Sequence, residues 1–150
     1  MTHNDIVAAA RRYIGVPFRH QGRSSLGMDC LGLLVKVACD CHLTDAYGRA
    51  LSTYDTLHYT HFPDGDYFCA QLKEALHHVK QCEMQVGDIA LFDIDNNSQH
   101  CGIITNYRYG GLGVIHAYAP ARKVVEHQLD ESWQNRITAL FRAYKKREDF

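Results

Sequence analysis

Asp29-Cys30-Leu31-Gly32-Leu33-Leu34-Val35-Lys36-Val37-Ala38-Cys39-Asp40-Cys41 decides how this chain folds. The run is apolar on nearly every face, the pattern of a buried helix and not of a surface one. Val35 and Val37 would also suit a central strand, but the length of the run and the aspartate at its head favour a capped helix. Gly32 in the first turn lowers helix stability by up to about 1 kcal/mol relative to alanine, which is tolerable where something packs closely against it. Upstream, residues 19–28 hold two glycines and two serines without periodicity and form a loop. Before them, Asn4 or Asp5 caps a first helix with Ile6, Ala9, Ala10, Tyr13 and Ile14 as its apolar stripe, ended by Gly15 and Pro17.

Downstream of the decisive run, residues 42–65 form an extended loop with one short helix, and Pro63-Asp64-Gly65 marks a turn. Asp66 then caps a helix running through His78, with Phe68, Leu72, Ala75, Leu76 and Val79 inward. After residue 84 the character changes. Strands are expected over 87–93, 100–107, 114–118, 123–128 and 137–143, with turns at 95–98 and 109–113 and a short helical turn at 130–135. Helices first and a strand meander second make an α+β chain, not the alternation of a doubly wound sheet. Neither a repeat nor a linker divides it, so residues 1–150 form one domain.

The chain has 150 residues, enough to bury roughly two-thirds of its unfolded surface. Sixteen Lys and Arg against 17 Asp and Glu give a formal charge of -1, which excludes a basic nucleic-acid wrapper and an acidic disordered tail. No membrane span is expected: the longest nearly apolar run, 31–41, is broken by Lys36 and Asp40, and about 20 apolar residues are needed. Met1-Thr2-His3-Asn4-Asp5 lacks the basic start and apolar stretch of a signal peptide, which implies synthesis in the cytoplasm and a reducing environment for the six cysteines. Most of these cysteines are expected to be small, reduced core residues.

Cys30 differs from the others because it opens a helix. Unpaired backbone N–H groups and the helix dipole favour a thiolate there, and the same N–H groups suit an oxyanion. A cysteine nucleophile needs a base. His100 opens one expected strand and His116 lies in the next, so antiparallel pairing would let His100 serve Cys30 while His116 orients its other ring nitrogen. The alternative is two core or edge histidines bonded to nearby backbone. Cys101, by strand alternation, faces away from His100 as a buried neighbour. Cys39-x-Cys41-His42 lacks the ligand spacing of a structural zinc site, and we expect neither a metal nor a cofactor.

Five blocks in order carry a resemblance: Gly15-Val16-Pro17-Phe18-Arg19-His20-Gln21-Gly22, Asp29-Cys30-Leu31-Gly32-Leu33-Leu34, Gly87-Asp88-Ile89-Ala90-Leu91-Phe92, His100-Cys101-Gly102-Ile103-Ile104 and Ile115-His116-Ala117. Together they resemble the NlpC/P60 family of papain-like cysteine peptidases across nearly the whole chain. The form of the first two blocks is similar to the phage and prophage branch, cell-wall peptidases associated with tail assembly. The resemblance implies a papain-like α+β fold, with N-terminal helices and the nucleophile at a helix start packed on an antiparallel sheet of about five strands. It implies an endopeptidase or amidase acting on peptidoglycan stem peptides, at the bond between D-γ-glutamate and meso-diaminopimelate or lysine. Cys30 is then the nucleophile, His100 the base and His116 the orienting residue. Asp29 takes the family's contact to the stem-peptide amine, or caps the helix. Phage tail-tip proteins are the implied partners, and delivery to the cell wall in a tail the implied setting.

Two departures bear on the substrate site. Phe18 stands where the family usually has a tyrosine whose hydroxyl assists the oxyanion hole, and it has no donor; His20 or Gln21 would have to replace it, or backbone N–H groups would serve alone. Leu31 stands where many members have a serine that contacts the stem peptide. The rival functions are therefore an inactive tail or wall-binding module, best supported by Phe18 and Leu31, and an amide acyltransferase that reuses the same nucleophile.

Overall fold

Period-two alternation in the C-terminal half builds a six-stranded antiparallel sheet, and the apolar helices of the N-terminal half cover one of its faces. The computed structural model describes residues 3–54, 71–94 and 97–143. Helix α1 spans His3–Arg11 and α2 spans Cys30–Asp40, while a two-residue hairpin, β1 (Arg23–Ser24) and β2 (Gly27–Met28), lies between them. A 3-10 turn follows at Leu51–Tyr54. The sheet comprises β3 (His77–Val79), β4 (Ile89–Ile94), β5 (Asn97–Asn106), β6 (Leu112–Tyr118), β7 (Lys123–Gln128) and β8 (Ile137–Arg142). Their order is β3-β8-β4-β5-β6-β7, and a short helix α3 (Glu131–Gln134) connects β7 to β8. The expected α+β architecture is present.

Alternation sorts the sheet residues into two clusters. Ile89, Leu91, Cys101, Ile103, Ile115, Ala117 and Val124 meet Ile6, Ala9, Ala10, Leu33 and Val37 of the helices. Ala90, Phe92, Ile104, Val114 and Leu140 form a second cluster, against which Trp133 of α3 packs. At the β7 edge, Gly15 N–H donates to Val124 O and Val124 N–H donates to Val16 O. Phe18 N–H donates to Arg122 O at 2.9 Å, so the segment leading to α2 is tied to the end of the sheet. Arg11 adds a second tie between α1 and the sheet through Glu126, which also accepts from the Thr105 hydroxyl.

Several boundaries differ from expectation. The helix expected through His78 is helical over 71–75, but His77–Val79 pairs antiparallel with β8, giving six strands instead of about five. The pairing covers an edge of β8 and buries Val79 against the second cluster, which overrides local helical periodicity. Pro63, Asp66 and Phe68 lie outside the described residues. Ile14 is exposed because α1 ends at Arg11 and residues 12–15 form turns. The loop over 19–28 contains the β1–β2 hairpin. Among the described residues, no helix is long and apolar enough to cross a membrane.

Candidate active site

The start of α2 is held by its cap. Asp29 is buried, and its Oδ1 accepts from Gly32 N–H at 2.8 Å, the bond that makes an aspartate a good N-cap. Its Oδ2 accepts from Gln21 N–H at 2.8 Å, and Arg23 Nη1 lies 3.1 Å from Oδ1 in a largely buried ion pair. Arg23 Nη1 also donates to Gly22 O at 2.9 Å. Thus one carboxylate binds the helix start to the loop before it. Gly32 allows this closeness: a Cβ at that position would stand 2.1 Å from Gly22 O.

Cys30, half-buried as the first residue of α2, meets two groups from β5. Its thiol shares hydrogen bonds with the His100 ring and with the buried Cys101 thiol. His100 Nε2 in turn bonds to His116 Nδ1. The nitrogen left for the thiol is His100 Nδ1. Gly102 lets the imidazoles come together, since a Cβ there would lie 2.8 Å from Val114 Cγ2 and 3.1 Å from His116 Cβ. The three residues singled out from sequence, Cys30, His100 and His116, therefore form one connected group.

The connection continues to a residue that sequence reasoning missed. His116 Nε2 lies 2.8 Å from His127 Nε2, and His127 Nδ1 lies 2.9 Å from the carbonyl of Gln128. Trp133 covers the group, with ring centroids 5.0 Å from His116 and 5.1 Å from His127, and Tyr118 stacks on His116 at 4.9 Å. A histidine two residues along the same face of a neighbouring strand was the available signal, but it becomes specific only when the register, Val114 opposite His127, is fixed.

The charges follow from these contacts. The hydrogen bond from Cys101, then the bond and positive charge of His100, hold the Cys30 thiol well below its usual range, against burial and the nearby Asp29 carboxylate. Cys101 moves the opposite way: burial, then its bond to Cys30, pushes its thiol well up, so it remains the protonated donor of the pair. Strand alternation places Cys101 with the helix-side cluster as the buried neighbour expected, and its thiol also meets that of Cys30. His116 is fully buried; burial, then the charges of His100 and His127, push it down to about 2, so it stays neutral.

The remaining candidates surround this group. Phe18 is half-buried against the helix-side core, and its backbone joins Met28 of β2 to Arg122, the residue before β7. His20, Gln21 and Leu31 are half-buried on the loop and the first helical turn, with Gln21 in a left-handed conformation at φ 61°. Cys39 and His42 are exposed, whereas the Cys41 thiol points to Asp5 O. Among the described residues, no group of three or more His, Cys, Asp or Glu side chains is arranged to hold a metal ion.

Comparisons with known proteins agree with this architecture. The fold matches an NlpC/P60 family protein from Bacillus cereus with TM-score 0.66 and 18% identity, over 95% of this chain and 40% of that one. It matches the NlpC/P60 domain of the peptidoglycan hydrolase SagA with TM-score 0.63 and 20% identity, over 95% and 99% of the two chains. An N-acetylmuramoyl-L-alanine amidase from Bacteroides uniformis matches with TM-score 0.61 and 14% identity, over 94% and 99%. Among curated proteins, none matches the sequence. The NlpC/P60 family model matches residues 15–142, a span that includes the thiol, all three imidazoles and every strand of the sheet, so the chain belongs to the NlpC/P60 family.

Proposed function

We propose that this chain is a cysteine peptidase that hydrolyses an amide bond in peptidoglycan stem peptides, between D-γ-glutamate and meso-diaminopimelate or lysine. The observation that carries the proposal is the Cys30 thiol at a helix start, bonded to an imidazole whose far nitrogen is itself held. Family membership and the similarity to a peptidoglycan hydrolase domain supply the substrate class.

In this mechanism His100 Nδ1 takes the Cys30 proton and the thiolate attacks the amide carbonyl. Backbone N–H groups at the start of α2 hold the oxyanion, since Phe18 offers no side-chain donor. His100 then protonates the departing amine, forming the thioester, and activates the water that releases the acyl group. The bonds occupying both Asp29 oxygens support a fastening role for that residue rather than a contact to the substrate amine. The half-buried Leu31, His20 and Gln21 are assigned to the rim that receives the stem peptide. A prophage setting, with tail-tip proteins as partners, belongs to the same proposal and rests on the sequence blocks at 15–22 and 29–34.

The opposing view, an inactive wall- or tail-binding module, draws on Phe18 and Leu31. The depressed Cys30 thiol and its ordered imidazoles weigh against it, because a binding surface needs neither. Mass spectrometry of muropeptides incubated with wild type and with Cys30→Ala tests the proposal. Cleavage between the second and third stem residues by wild type alone is expected. Intact muropeptides with both proteins, or equal cleavage by both, would overturn it.

A further inference from the structure

We infer that His127 is a positioning residue that sets the proton direction of the whole imidazole chain, so that His100 presents a lone pair to Cys30. The inference rests on the proposed role of Cys30 as nucleophile and goes beyond it, because His127 touches neither the thiol nor the base.

The direction follows from one backbone carbonyl. Gln128 O can only accept, so His127 Nδ1 must carry its hydrogen. In the tautomer with that one proton, His127 has a lone pair on Nε2, and the proton in the 2.8 Å contact belongs to His116 Nε2. Neutral His116 is left with a lone pair on Nδ1, which accepts from His100 Nε2–H. His100 Nδ1 is therefore the acceptor, the state a base needs. No choice remains along the chain once the last ring is fixed. His116 has no water-exposed alternative, being fully buried, and as a neutral ring it has one proton to place.

Without the acceptor on His127, His116 would be free to move its proton to Nδ1. That proton would face His100 Nε2 and would leave Nδ1–H directed at the thiol. Such an arrangement opposes proton transfer from Cys30 and destabilises the thiolate–imidazolium pair. Among the described residues, few groups face the chain. Phe92 of β4 and Trp133 of α3 are uncharged, Tyr118 of β6 stacks on His116, and Arg136 lies over the Trp133 ring at 4.8 Å. At the thiol end, α2 contributes Cys30, its cap Asp29 lies beside it, and β5 contributes Cys101. Arg136 offers only donors, and the Tyr118 ring lies stacked on His116, out of line with its in-plane N–H.

The test is the pH profile of iodoacetamide alkylation at Cys30, followed by peptide mass spectrometry to separate it from the exposed cysteines 39 and 82. His127→Phe keeps a ring but removes both nitrogens, whereas His127→Gln restores an acceptor at the position of Nε2. The expected midpoint for His127→Phe is higher than wild type by about one pH unit, and kcat lower by about tenfold, with KM unchanged and both restored in His127→Gln. Coincident profiles for folded His127→Phe and wild type would overturn the inference while the depressed wild-type midpoint left Cys30 as nucleophile intact. An ordinary midpoint in the wild type itself would overturn both. Nitrogen-15 spectra of wild-type imidazoles give a second readout that needs no variant. Hydrogen on His127 Nδ1 and His116 Nε2 is expected, and hydrogen on His116 Nδ1 would refute the assignment.

Discussion

Substituting Gly32 by alanine sets two effects of opposite sign against each other. Helix propensity alone favours Gly32→Ala by about 1 kcal/mol, since glycine in a helix carries the larger backbone entropy loss. The structure opposes this. The new Cβ would stand 2.1 Å from Gly22 O and 3.1 Å from Met28 Cβ, where ordinary carbon contacts begin near about 3.5 Å. Relief requires the Gly22 carbonyl to retreat by more than about 1 Å. That carbonyl accepts from Arg23, whose guanidinium also pairs with Asp29, so the retreat strains the cap of α2 as well. Overpacking of this kind costs about 1–3 kcal/mol, and weakening a charged hydrogen bond adds about 1.5–3 kcal/mol. After subtraction of the propensity gain, the expected net loss is about 1.5–5 kcal/mol, or a Tm lower by ~3–20 °C for a domain of this size. Thermal unfolding followed by circular dichroism reads this directly, and Cys30 alkylation should slow as the helix start shifts. A Tm equal to or above wild type would show that the loop yields without resistance and that the close approach plays no part in holding Cys30.

Other perturbations address the charges. His116 titrates near 6.5 when unfolded and is pushed to about 2 in the fold by burial and its two histidine neighbours. Between those values the unfolded chain binds the extra proton, so this contribution is complete above pH 6.5 and declines as pH falls, by up to about 1.4 kcal/mol per unit. Urea midpoints at pH 7 and pH 5 should therefore separate more for wild type than for His116→Asn, and equal separations would contradict the buried neutral ring. Removing the thiol donor in Cys101→Ala should raise the alkylation midpoint of Cys30, because a bond to the thiolate is lost; a lower midpoint would exclude that donor role. In Asp29→Ala the Gly32 cap, the Gln21 bond and the Arg23 pair disappear together, with an expected loss of about 2–4 kcal/mol in chemical denaturation. Unchanged stability with a raised KM would instead make Asp29 a substrate contact.

Local signals were strongest where one residue's environment is set by its neighbours in sequence. The cap at Asp29 and the all-round apolar run after it predicted α2 to within a residue at each end. Alternation found β4 to β8, and residues 123–128 matched β7 at both ends. His77–Val79 was missed because a three-residue strand at the end of a helical pattern has no period of its own; only the open edge of β8 makes it a strand. The pairing of Cys30, His100 and His116 was legible because a thiol at a helix start needs a base and the two histidines fall on successive strands. His127 was not, since it lies between Glu126 and Gln128 and looks solvent-facing until β6 and β7 are aligned. Cys101 is the buried neighbour that strand alternation implies, but its approach to Cys30 was not legible, for a related reason. Strand alternation correctly separates its side chain from that of His100, but it says nothing of a helix start placed where both can reach one thiol.

The most direct test of Cys30 as the nucleophile activated by His100 is to trap its acyl intermediate. A stem peptide containing D-γ-glutamyl-meso-diaminopimelate would be mixed with the protein, quenched in acid within milliseconds to seconds and examined by intact-protein and peptide mass spectrometry. The expected result is an added mass equal to the acyl half of the substrate, located on Cys30, absent in Cys30→Ala and greatly reduced in His100→Ala. Turnover with no adduct on Cys30 and continued cleavage by Cys30→Ala would contradict the account.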